Sequence, residues 1–199
     1  MKPLILLLAG LFALPAAAEE TLFNGTIHHS GGYGGPVVRF TEIGPHSELG
    51  VMAGGRGGWI INHQFIIGGG GYGLVTEHNP AAWETGFQND YQMTVGYGGL
   101  FLGYTQNSDN LVHYTIETMI GWGGVNYTRF DDEEYENEYN GDAFFVLEPG
   151  INLEVNVTRF FRLGLGATYR YIQGVDYHSL GDDDLSGLSG QIVFRFGSF

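Results

Sequence analysis

The most regular feature of the chain is an alternation of apolar with polar or small residues at a period of two. Phe145, Leu147, Pro149, Ile151, Leu153 and Val155 share one parity, and Glu148, Gly150, Asn152 and Glu154 fall between them. Phe161, Leu163, Leu165, Ala167, Tyr169 and Tyr171 alternate in the same way with Arg162, Gly164, Gly166, Thr168 and Arg170. Val112, Tyr114, Ile116, Thr118, Ile120 and Trp122 oppose His113, Thr115, Glu117 and Met119, and near the end Ile192, Phe194 and Phe196 oppose Gln191 and Arg195. A period of two belongs to the β-strand, whose successive side chains point to opposite faces. Beyond residue 18 no segment sustains a helical period. Bounded by turn chemistry, the pattern predicts eight strands, at 34–43, 48–61, 65–76, 91–104, 111–126, 143–155, 159–172 and 188–199.

The connections carry a second regularity. From the second one onward they alternate in length: short at 62–64, long at 77–90, short at 107–110, long at 127–142, short at 156–158, long at 173–187. The first, at 44–47, is short and departs from the series. An even strand count with short turns on one side and long loops on the other is the pattern of a transmembrane β-barrel. A water-soluble sandwich has no reason to alternate so regularly.

The polar parity separates these two readings further. A sheet face in water is usually rich in Lys and Glu. Here it carries glycine, threonine and a small set of opposite charges: Arg39, Arg56, Arg162, Arg170 and Arg195 with Glu117, Glu148 and Glu154. Inside a narrow barrel such charges must pair, because an isolated buried ion costs several kcal/mol. Arginine suits the task, since its fork binds carboxylates bidentately. Eight strands leave an interior just wide enough for side chains to fill. The glycine runs 54–55, 57–58 and 68–71 then make room for large inward neighbours such as Arg56 and Tyr72. Trp59, Trp83, Trp122, Tyr91, Tyr127, Tyr169 and Tyr171 lie near strand ends, where barrels place aromatic girdles.

The first residues predict the compartment. Lys2 is followed by an apolar run from Leu4 to Leu14, a break at Pro15, and small residues at Ala16 and Ala18 before Glu19. This is the order and length of a secretory signal peptide cut after residue 18, and too short for a spanning helix. Residues 19–33 read as an irregular lead-in and 34–199 as the barrel. Cleavage would remove the chain's only lysine. The formal charge of −14 argues against nucleic acid, whose binding needs clustered Lys and Arg. The absence of cysteine removes disulfides, thiolate catalysis and a lipid-attachment site.

The signal peptide, the eight-strand pattern and the closing stretch Gly190-Gln191-Ile192-Val193-Phe194-Arg195-Phe196-Gly197-Ser198-Phe199 together resemble the small outer-membrane β-barrels, the OmpA-like and OmpX-like eight-stranded group. The resemblance covers residues 34–199 and is architectural. It implies a closed antiparallel barrel in the cell outer membrane, reached by export to the periplasm. It also implies contact with outer-membrane lipid and lipopolysaccharide, and insertion by the barrel-assembly machinery, with Phe199 as the assembly signal. Phe199 is out of parity with Phe194 and Phe196, so the chain is expected to leave the strand at Gly197.

No residue set is read as catalytic, and no cofactor is required. His113, Thr115 and Glu117 share a strand face as the histidine and hydroxyl of lipid A deacylases do, but that face points inward, away from an acyl chain. The acidic loops offer hard oxygen ligands for Ca2+ or Mg2+: Asp131, Asp132, Glu133 and Glu134, with Glu136 and Glu138, in one, and Asp182, Asp183 and Asp184 in the other. Neither has EF-hand spacing, and a solvated acidic surface beside cation-bridged lipopolysaccharide is the plainer account of them. The function expected is a side-chain-filled barrel acting structurally or through its acidic loops, with an unknown extracellular partner. A small porin or channel and an envelope lipid-modifying enzyme are the alternatives.

Overall fold

A computed structural model describes residues 30–85, 91–129 and 141–199. The signal segment, the lead-in up to residue 29 and the acidic residues Asp131 to Glu138 lie outside the described residues.

Eight long strands close into one antiparallel barrel. They are β1 (Ser30–Ile43), β2 (Glu48–Ile61), β3 (Phe65–Leu74), β4 (Tyr91–Gln106), β5 (Val112–Arg129), β6 (Asp142–Asn156), β7 (Phe161–Gln173) and, after a short excursion, β10 (Gly187–Ser198). Each strand pairs with its neighbour in sequence, and β1 closes on β10. The strands run from 10 to 18 residues, each long enough to cross a hydrocarbon core when tilted. The excursion between β7 and β10 holds a minimal hairpin, β8 (Asp176–Tyr177) and β9 (Leu180–Gly181), and one helical turn, α1 (Asp182–Leu185).

Two elements differ from the sequence reading. β1 begins at Ser30, so the last four residues of the supposed lead-in are strand, paired with Gly58, Trp59, Ile60 and Ile61 of β2. Glycine there leaves little side-chain pattern to read. β10 also runs through Gly197 to Ser198, paired with Tyr33 and Gly32, so the chain does not leave the sheet at Gly197.

Local chemistry explains the tight turns. Asn62 and His63 both adopt left-handed backbone, with φ of 52° and 60°, as a two-residue type I′ hairpin requires. Gln64 N–H closes the turn on Ile61 O at 3.1 Å. Two seams are interrupted where proline removes a donor. The β1–β10 ladder skips from Gly34 to Val37 around Pro36, and the β6–β7 ladder skips from Leu147 to Gly150 around Pro149.

The two faces are sorted by parity. Leu100, Leu102, Ile116, Ile120, Trp122, Ile151, Leu153, Leu165 and Leu188 are exposed on the outside. An apolar belt running round the wall far exceeds what a water-soluble monomer presents. The interior is a mixed core: Tyr33, Met52, Tyr72, Tyr97, Phe101 and Met119 pack among buried charges.

Candidate functional site

The site is the barrel lumen and its two mouths. All eight charges assigned to the inward face are buried, from 0% exposure at Arg170 to 7% at Arg162. Three arginines and three glutamates form ion pairs. Arg39 Nη1 donates to Glu148 at 2.6 Å, and Arg56 Nη1 to Glu117 at 2.6 Å. Arg195 bridges two carboxylates, lying 3.3 Å from Glu117 and 3.0 Å from Glu154. Equal numbers of each sign let the cluster sit in a low-dielectric interior without net charge.

Neutral side chains join these pairs into one network. Gln191 accepts from Arg39 Nε at 3.1 Å and donates to Glu117 at 2.9 Å and to Asn152 at 2.7 Å. Glu148 also accepts from Tyr97 Oη at 3.1 Å and Thr168 Oγ1 at 2.8 Å. Arginine faces left without carboxylates rest on aromatic rings. Arg39 lies 3.6 Å over Tyr72, Arg56 4.6 Å over Phe101 and Arg195 4.9 Å over Tyr33. Sequence reading named the charges but not Tyr97 or the linking role of Gln191. The signal for Tyr97 was present, since it shares its parity on β4 with the buried Met93, Val95 and Phe101.

Glycine makes the packing possible at two positions. A Cβ at Gly70 would stand 2.8 Å from Arg56 Cβ, and one at Gly54 would stand 2.6 Å from the Tyr72 ring. No ordinary side chain fits at either position.

Arg170 and Arg162 have no ion pair among the described residues, and each marks one mouth. At the long-loop mouth Arg170 donates to Leu185 O at 2.6 Å, to Met52 Sδ at 3.1 Å and to Thr41 Oγ1 at 3.3 Å. It thereby holds the β7–β10 connection inward. Val175, Tyr177, Leu180 and Leu185 of that connection are buried in the core. Much of this segment therefore folds back over the lumen, whereas its sequence suggested a loop given wholly to the exterior. Its acidic residues have structural tasks: Asp182 accepts from the N–H groups of Gly174 and Val175 at 2.8 and 2.7 Å, and Asp184 from Gly181 N–H at 2.8 Å. Asp183 is exposed.

The aromatic reading needs a correction at the same mouth. Trp59, Trp122, Tyr169 and Tyr171 do lie exposed on the outer wall. Tyr127, however, is 1% exposed and points inward. Its ring lies 5.0 Å from Tyr177, and its hydroxyl meets Trp83 Nε1 at 3.4 Å. The odd parity of β5 carries it into the lumen together with Glu117 and Met119.

At the short-turn mouth Arg162 lies 4.0 Å over the Phe199 ring, which also stacks on Tyr33 at 6.5 Å. Phe199 therefore has the lumenal parity of Arg195, and the lipid-side aromatic at this end is Phe196, stacked on Phe161 at 4.9 Å.

His113, Thr115 and Glu117 do not form a catalytic relay. Thr115 Oγ1 bonds Thr105 Oγ1 at 2.9 Å, and His113 Nδ1 meets Asn110 O at 3.2 Å. His113 Nε2 lies 3.4 Å from Glu154, while Glu117 is engaged by Arg56, Arg195 and Gln191.

Fold and lumen together define the class: this is a closed, eight-stranded antiparallel barrel of the outer-membrane type. Comparison with solved structures agrees. Neisserial surface protein A is similar over 85% of this chain and 96% of its own, with a TM-score of 0.58 at 12% identity. A major outer membrane protein from Thermus thermophilus is similar over 85% and 100%, with a TM-score of 0.53 at 7% identity. Ail, the attachment invasion locus protein of Yersinia pestis, is similar over 84% and 97%, with a TM-score of 0.50 at 12% identity. At such identities the likeness is one of fold. No protein-family profile matches the chain, and no curated protein matches it.

Proposed function

We propose that this chain is an integral protein of the cell outer membrane whose lumen is closed by side chains, and that it acts through its ends, structurally or by contact with an extracellular partner. The observation that carries this reading is the balanced ion network across the barrel interior. Three arginines and three glutamates tie β1, β2 and β10 to β5 and β6. A lumen filled in this way is a strut, and the apolar outer wall supplies the contact with lipid. In this reading exposed loop carboxylates, Asp183 among them, meet lipopolysaccharide, with Ca2+ or Mg2+ bridging the two surfaces. Export by a signal peptide ending at residue 18, and insertion by the barrel-assembly machinery reading the terminal strand and Phe199, complete the reading. No enzymatic role is included in this reading, because Thr115 is engaged by Thr105 and His113 by Asn110 O and Glu154, both side chains being buried in the lumen.

One observation favours a second reading, a small channel. Several interior polar atoms lack partners among the described residues: Arg56 Nε and Nη2, Arg195 Nε, and the hydroxyls of Tyr33 and Tyr72. Such groups are commonly satisfied by water, and a continuous file of water would conduct. Planar-bilayer recording of the refolded protein, with folding verified by heat-shifted gel mobility, separates the two. Electrical silence is expected, and steady single-channel steps would replace the strut with a pore.

A further inference from the structure

We propose that the recess at the short-turn mouth binds a phospholipid headgroup, its phosphodiester held by Arg159 and Arg162 and its donor group by Asn156 and Asp109. The recess has a volume of about 490 Å³ and is lined by Ser108, Asp109, Asn156, Thr158, Arg159, Arg162 and Phe199. This is the size of an ordinary small-ligand cleft.

Four features select the ligand. First, Arg162 is nearly buried and yet under-used. A guanidinium carries five N–H donors, and Arg162 spends one, from Nη2 to Ser108 O at 3.3 Å, with its face on Phe199. Among the described residues no carboxylate lies in ion-pair range of it, unlike Arg39, Arg56 and Arg195. Second, Arg159 lines the same recess, is exposed, and has no partner among the described residues. Two guanidiniums on one recess favour an oxyanion, which their forks match in geometry.

Third, the recess also offers acceptors. Asn156 Nδ2 donates to two backbone carbonyls, Ser108 O at 2.9 Å and Asn110 O at 2.7 Å, which fixes the orientation of the amide. Its Oδ1 is then a buried acceptor without a partner among the described residues. With Asp109 beside it, the site repels a multiply charged free anion and favours a singly charged one that carries an ammonium or hydroxyl. Fourth, the turns flanking the recess are apolar at their tips. Leu111, Val157 and Phe160 are 68%, 51% and 62% exposed. Side chains of this kind belong in the interfacial layer of a bilayer, at headgroup depth. A phosphodiester bearing an ammonium or hydroxyl meets all four conditions.

The inference rests on the membrane reading above, with the short turns on the periplasmic side. The test uses the folded barrel in maltoside micelles, which contain no phosphate. Short-chain phosphatidylethanolamine below its micellar concentration is titrated in, with inorganic phosphate and methyl phosphate as separate arms, and binding is read by native mass spectrometry and by arginine Nε–H NMR shifts. The expected result is saturable one-to-one binding of the lipid, at least tenfold tighter than either phosphate. Arg159→Gln, a change at an exposed turn residue, should weaken it tenfold or more, and Arg162→Gln likewise. Asp109→Asn should weaken the ammonium-bearing lipid several-fold and leave methyl phosphate unaffected. Should Arg162→Gln fail to fold, Arg159→Gln and Asp109→Asn decide alone. Equal affinity for inorganic phosphate would assign the site to a free oxyanion and overturn the headgroup. So would binding indifferent to Arg159→Gln. A barrel that inserts into vesicles but shows no such binding refutes the inference alone, whereas one that fails to insert refutes the membrane reading beneath it.

Discussion

Glu117 is the position where the closed-lumen reading can be tested by energy alone. Its carboxylate receives Arg56 at 2.6 Å, Arg195 at 3.3 Å and Gln191 at 2.9 Å, and its side chain is 2% exposed. Glu117→Gln keeps the shape and removes one negative charge. Arg195 keeps Glu154 at 3.0 Å, but among the described residues Arg56 has no second carboxylate and already has two nitrogens without partners. Its guanidinium therefore becomes a buried, unbalanced cation. Opposite charges about 4 Å apart are worth roughly 4 kcal/mol at the effective dielectric of a protein interior and about 1 kcal/mol in bulk water. Breaking one partner of a buried pair costs about 3–5 kcal/mol in measured systems. The expected loss is thus about 3–5 kcal/mol, read as a shift of the urea midpoint for refolding into vesicles, scored by gel mobility. The double variant Glu117→Gln with Arg56→Met removes the stranded charge and should recover most of that loss. A loss below about 1 kcal/mol for Glu117→Gln, with no recovery in the double variant, would mean that water screens the pair. The filled-lumen argument would then fail, and the channel would become the better account.

Three further outcomes follow from the same geometry. Gly70→Val drives a branched side chain against Arg56 Cβ, 2.8 Å from the new Cβ, and should cost about 1–3 kcal/mol. Gly190→Ala, which meets nothing within 4 Å, should be neutral or slightly stabilising, and equal effects of the two in the urea assay would refute the packing argument. Trp122 is 70% exposed on the outer wall, so in a single-tryptophan variant brominated acyl chains should quench it and aqueous iodide should not; the reverse would remove the barrel from the bilayer. Arg170→Met leaves Leu185 O without its donor and should free the β7–β10 connection to protease in the intact barrel, while unchanged resistance would mean that the buried Leu185 and Tyr177 hold it unaided.

What could be read from the sequence was whatever parity encodes. Period two fixes the face of every residue in a strand once one face is known, so Arg195 and Glu154 could be placed inward together although they lie on strands far apart in the chain. Parity says nothing about which inward residues meet across the barrel, because that depends on strand stagger. Gln191 shows the difference: its face was legible, but its position between Arg39 and Glu117 was not. Tyr127 shows a different failure. It was assigned to a girdle because it is aromatic and near a strand end, although its parity with Glu117 already placed it inside. Phe199 repeats the lesson, since its odd parity made it a lumenal ring over Arg162. Where residue type and parity disagree in a strand, parity prevails, because reversing one side chain would need a bulge and the register shows none there. The lead-in failed for the opposite reason, since Gly31 and Gly32 have no side chain with which to declare a face.

The same parity explains why chemistry should be sought at the ends of this barrel. The carboxylates in the middle are all members of the ion network, and rings, aliphatic side chains such as Val37, Met52 and Val193, and glycines pack round them. The polar atoms left over in this set belong to side chains already committed to buried pairs or ring contacts, so a ligand could take the carboxylates only by breaking a buried pair, at the cost worked out for Glu117. The mouths are different. At one, Arg170 donates to the protein's own backbone and draws a loop inward. At the other, Arg162 donates once to the backbone of a short turn, at Ser108 O, and keeps its remaining donors in reserve. Two arginines with the same parity on one strand thus end in different states. That difference, rather than the network between them, points to where this protein meets other molecules.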